Sequence, residues 1–211
     1  MNDSSYLSQP ALPAEGTRPA KQARSLLTRN RIVAAAQKLI GNGNFEDLTV
    51  SEIAREAKCS VGAFYQRFED KEALFRTLVA DMVAEVRAGL IEIYRRYDGD
   101  PLVDHIIAAA VRNFRNRQGL MRATVRKGMA DSRIWDPIRE HGHFAAGLFA
   151  ERLGQRNKRR LTAAQTDKIG FAFQVLHGTL INTLIHDPGP LTINDPRFEK
   201  ELNRVFRAII G

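Results

Sequence analysis

The side chains from Ser60 to Phe68 (Ser-Val-Gly-Ala-Phe-Tyr-Gln-Arg-Phe) are suited to reading a surface rather than to turning over a substrate. Ser60 can cap a short helix running through Phe68. On that helix Val61, Phe64, Tyr65 and Phe68 share one stripe, with Phe64 and Phe68 as core anchors. The opposite face carries Gly62, Ala63, Gln66 and Arg67. A glycine inside a helix costs about 1 kcal/mol relative to alanine; close approach of the backbone to a nucleic-acid groove would justify it at Gly62. Gln66 can read an adenine edge, and Ala63 or Val61 can touch a thymine methyl. Tyr65 sits at the stripe's edge with its hydroxyl free to reach outward. Lys71 and Thr49 stand at helix starts, where free amides favour a phosphate. Such contacts fix register without reading sequence.

Other chemistry lacks its residues. His141 and His143 are two apart, so on a helix they diverge and cannot share a metal. There is no nucleophile-elbow glycine-serine pattern. Gly41-x-Gly43 lacks the third glycine and follows a helix, so a dinucleotide fold is unsupported. No metal and no cofactor is expected. Cys59 is the only cysteine, which excludes a disulfide framework and a multi-cysteine zinc site.

The elements needed to position these residues are helical throughout. Ile32, Ala35, Ala36 and Leu39 begin the pattern, and the Gly41-Asn42-Gly43-Asn44 turn ends that helix. A second helix, Val50 to Ala57, opens on a capping box in which Thr49 and Glu52 bond reciprocally. The turn Lys58-Cys59-Ser60 leads into the helix of Ser60 to Phe68. Asp70 can cap a long helix to Arg96, carrying apolar pairs Leu74/Phe75, Leu78/Val79 and Met82/Val83, then Val86 and Leu90. Further helical patterns occupy about 101–117, 119–129, 136–154, 162–186 and 196–210. The expected fold is all-α: a tail over 1–23 that is disordered, a helix-turn-helix DNA-binding domain over 24–72, and a helical domain over 73–211, for which the resemblance given below implies effector binding and dimerisation. Two short helices separated by three residues are the helix-turn-helix arrangement, whose second helix enters the major groove.

The run Phe45-Glu-Asp-Leu-Thr-Val-Ser-Glu-Ile-Ala-Arg-Glu-Ala57, then Ser60 to Phe68, then Lys71-Glu-Ala-Leu-Phe75, resembles the DNA-binding domain of tetracycline-repressor-type (TetR) transcriptional regulators. The resemblance covers about residues 28 to 79. It implies phosphate contacts from Thr49, Tyr65 and Lys71, and base-edge contacts from around Ser60, Val61, Ala63 and Gln66. Lys58 and Cys59 depart from the family's common Gly and Val in the turn. Lys58 puts a left-handed turn residue in doubt and, like Arg67, adds a cation for phosphate.

The resemblance also implies a homodimer on a palindromic double-stranded DNA operator, released by a small-molecule effector; the basic run and pocket aromatics named below would suit an anionic or aromatic one. The 162–186 helix is apolar on two sides. Ile169, Phe173, Leu176, Leu180 and Leu184 suit the core; Gly170, Gln174, Gly178, Ile181 and Ile185 suit a two-fold contact, joined by Leu202 and Phe206 of the last helix. Effector-pocket candidates are Phe114, Met121, Trp135, Phe144, Leu148, Phe171 and His177. The competing classes are an architectural DNA binder without an effector and a small-molecule-modifying helical enzyme.

Charge supports a polyanionic partner without locating it. The chain of 211 residues has 32 Lys and Arg against 24 Asp and Glu, a net charge of +8. Most of the excess lies beyond residue 71. Arg112, Arg115, Arg117, Arg122, Arg126 and Lys127 form a run that suits a solvated face, an anionic effector, or packing on head acids such as Glu46 and Asp47. No apolar run is long enough for a membrane span, and Met1 to Ser8 has no secretory pattern; a cytoplasmic protein is expected.

Overall fold

The computed structural model describes residues 18–41 and 43–211. Among them the architecture is all-helical, in the order α1 (Arg18–Ile40), α2 (Val50–Glu56), α3 (Val61–Tyr65), α4 (Lys71–Arg96), α5 (Asp100–Asn116), α6 (Gln118–Ala130), α7 (Asp136–Arg156), α8 (Ala163–His186) and α9 (Pro196–Ile210). Single 3-10 turns precede α2 (Phe45–Asp47) and α7 (Ser132–Trp135). The tail expected over 1–23 falls largely outside the described residues, and its boundary moves: α1 already begins at Arg18.

Local chemistry explains the boundaries. Thr49 accepts from the amide of Glu52 while the Glu52 carboxylate accepts from the Thr49 amide, closing a capping box on α2. Ser60 accepts from the Ala63 amide to start α3, and Asp70 accepts from the Ala73 amide to start α4. A second capping box, Thr162 with Gln165, starts α8. Pro101, Pro137 and Pro196 stand in the first turns of α5, α7 and α9, where a missing N–H costs nothing.

Helices α1 to α3 and the start of α4 pack around Ile32, Ala36, Phe45, Ile53, Phe64 and Phe75, all buried. This is the head. The rings of Phe45 and Phe75 lie 4.9 Å apart, and those of Phe64 and Phe68 lie 5.6 Å apart. Helix α4 then leaves the head and packs on α5 and α7, so one helix about 39 Å long belongs to both halves. The body core centres on Phe149, Phe173 and Phe206, whose rings meet edge to face at 5.2–6.0 Å. Helices α8 and α9 form the most extensively packed pair.

The head is also held by α6. Gly119 packs so closely on the α1 exit that an added Cβ would lie 2.6 Å from Ile40 Cγ2 and 2.7 Å from the carbonyls of Gly41 and Gly43. The Gly119 amide donates to the Gly41 carbonyl at 3.3 Å. Eight residues on, Lys127 is paired with Glu46 and Glu72, each at 2.7 Å, and lies over the Phe75 ring.

Candidate nucleic-acid interface

The turn that aims α3 is a Schellman stop. The Lys58 amide donates to the Arg55 carbonyl and the Cys59 amide to the Ala54 carbonyl, with Lys58 in the left-handed region at φ +52°. The left-handed residue put in doubt by the missing glycine is therefore present, and a lysine adopts it. Arg31 of α1 donates to the carbonyls of Ala57 and Lys58, tying the strained turn to the first helix.

Beyond this turn α3 turns Phe64 fully inward and leaves the reading face outward. Val61 is 41% and Tyr65 55% exposed; Ser60, Gly62 and Gln66 are exposed, and Ala63 is half-buried. Tyr65, at the edge of the apolar stripe, faces solvent, and Val61 of the same stripe is exposed as well. A Cβ built on Gly62 would meet nothing nearer than Ser60 Oγ at 3.8 Å. The fold itself gives no reason for glycine there. Regular helix ends at Tyr65, shorter than the expected run to Phe68, and Gln66 caps it.

The cations near α3 are less free than their positions imply. Arg67 donates to the Ser25 carbonyl and to Gln66 Oε1, each at 3.3 Å, so it spans α3 and α1. The Lys71 ammonium, expected to face phosphate, turns back on the loop before α2. It donates to the carbonyls of Glu46 at 2.9 Å and Leu48 at 3.0 Å, and sits 5.2 Å from the Phe45 ring centroid. Those carbonyls lie in and just beyond the 3-10 turn, and the ammonium satisfies them. Thr49 is exposed, its hydroxyl donating to Glu52 Oε2 at 2.8 Å. That bonding holds the Glu52 carboxyl below its ordinary range.

The body contains a cavity of about 540 Å³ between α4, α5, α7 and α8, lined also by Met121 of α6 and by Trp135. Of the residues proposed for an effector pocket, Phe114, Met121, Trp135 and His177 line it. Three candidates do not. Phe144 lies under the Arg87 guanidinium, 5.3 Å from it, and Leu148 is half-buried elsewhere on α7. Phe171 is 54% exposed, because it follows Gly170 on the outward side of α8.

The dimer candidates divide likewise. Gly170, Gln174 and Gly178 are exposed and Ile181 and Ile185 half-buried, while Ile169, Phe173, Leu176, Leu180 and Leu184 are buried; Gln174, Gly178 and Ile181 also line the cavity, so this α8 stripe borders it. Leu202 and Phe206 are corrected: both are buried in the protomer's own core, Phe206 against Phe149 and Phe173. The strongly amphipathic α9 has one apolar stripe, and the core takes it. Val205 is the large apolar residue that α9 exposes.

Sequence reasoning passed over Arg31, Gly119 and His141. Arg31 and Gly119 act through neighbours far away in the chain, so no local pattern marks them. His141 lines the cavity with its ring 6.1 Å from that of His177. Burial pushes both imidazoles down to about 4; Arg87 beside His141 adds to its shift, and His141 adds to that of His177. Of the basic run, Lys127 meets Glu46 and Glu72, Arg117 meets Glu85, and Arg115 and Arg122 donate to the carbonyls of Ile193 and Leu184.

Comparison with known proteins agrees with this geometry. Residues 32–78 match the family of bacterial regulatory proteins described as tetR. The A-factor receptor protein of Streptomyces griseus is 37% identical over 67 residues, 32% of this chain and 24% of that protein. The HTH-type transcriptional regulator HbdR of an Aromatoleum species is 47% identical over 51 residues, 24% of this chain and 22% of that one. The aligned stretch thus spans about a quarter of these curated relatives. The fold match is longer. A TetR-family regulator from Mesorhizobium loti superposes with a TM-score of 0.69 at 17% identity, over 89% of this chain and 96% of that one. A second, from Streptomyces coelicolor, gives 0.68 at 13% identity over 86% and 79%. The head, residues 32–78, is thus similar in sequence to bacterial regulatory proteins of the tetR family, and the chain as a whole is similar to TetR-family regulators in fold.

Proposed function

We propose that the protein is a sequence-specific DNA-binding transcriptional regulator, a homodimer that represses from a palindromic operator and is released by a small molecule bound in the body cavity. The observation that carries this is the outward face of α3. Gly62 has open space above it and Val61, Gln66 and Tyr65 stand exposed around it, on a helix whose other side is locked into the head by Phe64. A bare backbone flanked by small and amide-bearing side chains can enter a major groove about 12 Å wide. Ser60, Val61, Ala63 and Gln66 are the base-reading set. Thr49, Tyr65, Lys58, Arg67 and the amide end of α4 at Lys71 are the phosphate-facing set.

The outward stripe of α8, with Phe171 and Val205 beside it, supplies the two-fold contact. Two heads must then stand about 34–36 Å apart to meet successive major-groove turns. A ligand pressing on Met121 in the cavity moves α6, which is joined to the head at Gly119 and Lys127. Coupling of about 1–3 kcal/mol changes DNA affinity roughly 5–150-fold.

Gly62→Ala separates fold from function. The new methyl meets open space, so the variant should unfold at the same or a higher temperature, alanine being about 1 kcal/mol the better helix former. Its affinity for DNA fragments selected by the wild-type protein should nevertheless fall by an order of magnitude or more. Unchanged DNA affinity would remove α3 from the groove. Equal affinity of the wild type for scrambled duplexes, with a steep salt slope, would make the protein an architectural binder.

A further inference from the structure

We propose that the cavity takes an amphipathic acid: a carboxylate seated at Arg112 and Asn116 on α5, an apolar chain along the middle of the chamber, and a neutral oxygen at the far end received by His141 and His177. This rests on reading the cavity as the effector site, and it names the chemistry of the effector. Much of the remaining lining is apolar, among it Met82, Val86, Leu90, Ile106 and Ile181. They favour a hydrocarbon body.

The lining cations differ in availability. Arg117 is held by Glu85 and Asn113, and Arg139 is bonded to Asp136 at 2.6 Å. Arg112 is exposed and has no carboxylate or carbonyl partner among the described residues. Asn116, four residues on, stands one turn along the same helix face and also lines the cavity. An acid placed there meets a guanidinium while remaining partly wetted.

The histidine end asks for a different group. His141 Nδ1 is buried with no hydrogen-bond partner, and so is Nε of the adjacent Arg87. Unpaired buried donors and acceptors cost free energy that a ligand atom can recover. Both rings are neutral at physiological pH, each offering one N–H and one lone pair. Arg87 does not line the cavity; it lies over Phe144 and 3.9 Å from Glu140. A carboxylate carried to this end would lose its water, and the lining cation on the same helix, Arg139, is already bonded to Asp136. A hydroxyl or carbonyl oxygen bonds there without that cost, and the field of Arg87 favours it as an acceptor.

Calorimetric titration of the purified full chain with decanoic acid, 10-hydroxydecanoic acid, 1-decanol and decylamine tests the assignment. The hydroxy acid should bind about tenfold tighter than decanoic acid, decanoic acid about tenfold tighter than decanol, and the amine most weakly. Arg112→Gln, at an exposed position, should weaken both acids about tenfold and leave decanol unchanged. His141→Phe should abolish only the advantage of the hydroxy acid; if it does not fold, His177→Leu takes its place. Decanol binding as tightly as the acids, Arg112→Gln without effect on them, or no binding by any probe would overturn the proposal. Binding of selected DNA fragments by the same samples separates the two readings. Retained DNA binding without acid binding removes the ligand class alone, whereas acid binding without DNA binding removes the regulator and leaves the site.

Discussion

Lys58 holds a backbone conformation that costs an L-residue roughly 1–2 kcal/mol, and the Arg31 bonds to the two carbonyls around it keep it there. Lys58→Gly should therefore raise stability by up to about 1 kcal/mol, part of the gain being lost to glycine's freer unfolded chain. In a chain of this size that is a rise of roughly 2–4 °C in Tm, measurable by calorimetry. The same change removes a cation beside α3, so DNA affinity should fall while stability rises. A lower Tm would show that the Arg31 ties need more than the turn's backbone. Gln66 makes the complementary case. Gln66→Ala should relax preference at one operator position by about 1–3 kcal/mol while leaving the remaining positions discriminated, read by binding to single-base operator variants.

Among the elements, α6 is the joint between head and body. Its start at Gly119 abuts backbone, and carbonyl oxygens 2.7 Å from an added Cβ cannot rotate away as a flexible side chain would. Gly119→Ala should cost about 1–3 kcal/mol by overpacking, with hydrogen exchange rising first in the Gly43–Leu48 loop. Exchange unchanged in that loop would mean that α6 does not brace it. Further along α6, burial opposes the charge of Lys127, but its hydrogen bonds to Glu46 and Glu72 and their negative charges outweigh this and raise its pKa. Lys127 therefore stays charged across the physiological range and serves as a fixed strut.

At the scale of the whole molecule two consequences can be measured. His141 and His177 ordinarily titrate near 6.5 and are held near 4 in the fold. The unfolded chain thus binds more protons between those values, and stability there rises with pH. The contribution is complete above about pH 6.5 and is lost progressively as the pH falls toward 4, at no more than about 1.4 kcal/mol per pH unit for each ring. His141→Gln and His177→Gln should flatten the denaturant midpoint against pH over that window; an unaltered slope would assign the acid sensitivity to other groups. The second consequence concerns assembly. Gly170 is exposed on the outward face of α8, with nothing within 4 Å of an added Cβ. Gly170→Arg should leave the protomer folded, shift sedimentation to a single chain, and reduce operator affinity. Sedimentation as a dimer would move the two-fold contact off this face.

The sequence by itself determined the helices, their caps and the reading head. Thr49 with Glu52, Ser60 and Asp70 act on amides three residues away, and the motif from Phe45 to Phe75 is continuous in the chain, so both survive as local information. It also separated the two stripes of α8. Tertiary packing decided what each apolar surface meets. Leu202 and Phe206 carry a pattern that would suit a partner equally well, yet α9 has one apolar stripe and the protomer's own Phe149 and Phe173 fill against it. Phe171, Phe144 and Leu148 look like cavity residues until the rotation of α7 and α8 turns them elsewhere. The meeting of His141 with His177, and of Lys127 with Glu46, joins positions far apart in the chain. Helical periodicity fixes which residues share a face; only the docking of one helix on another fixes what that face confronts.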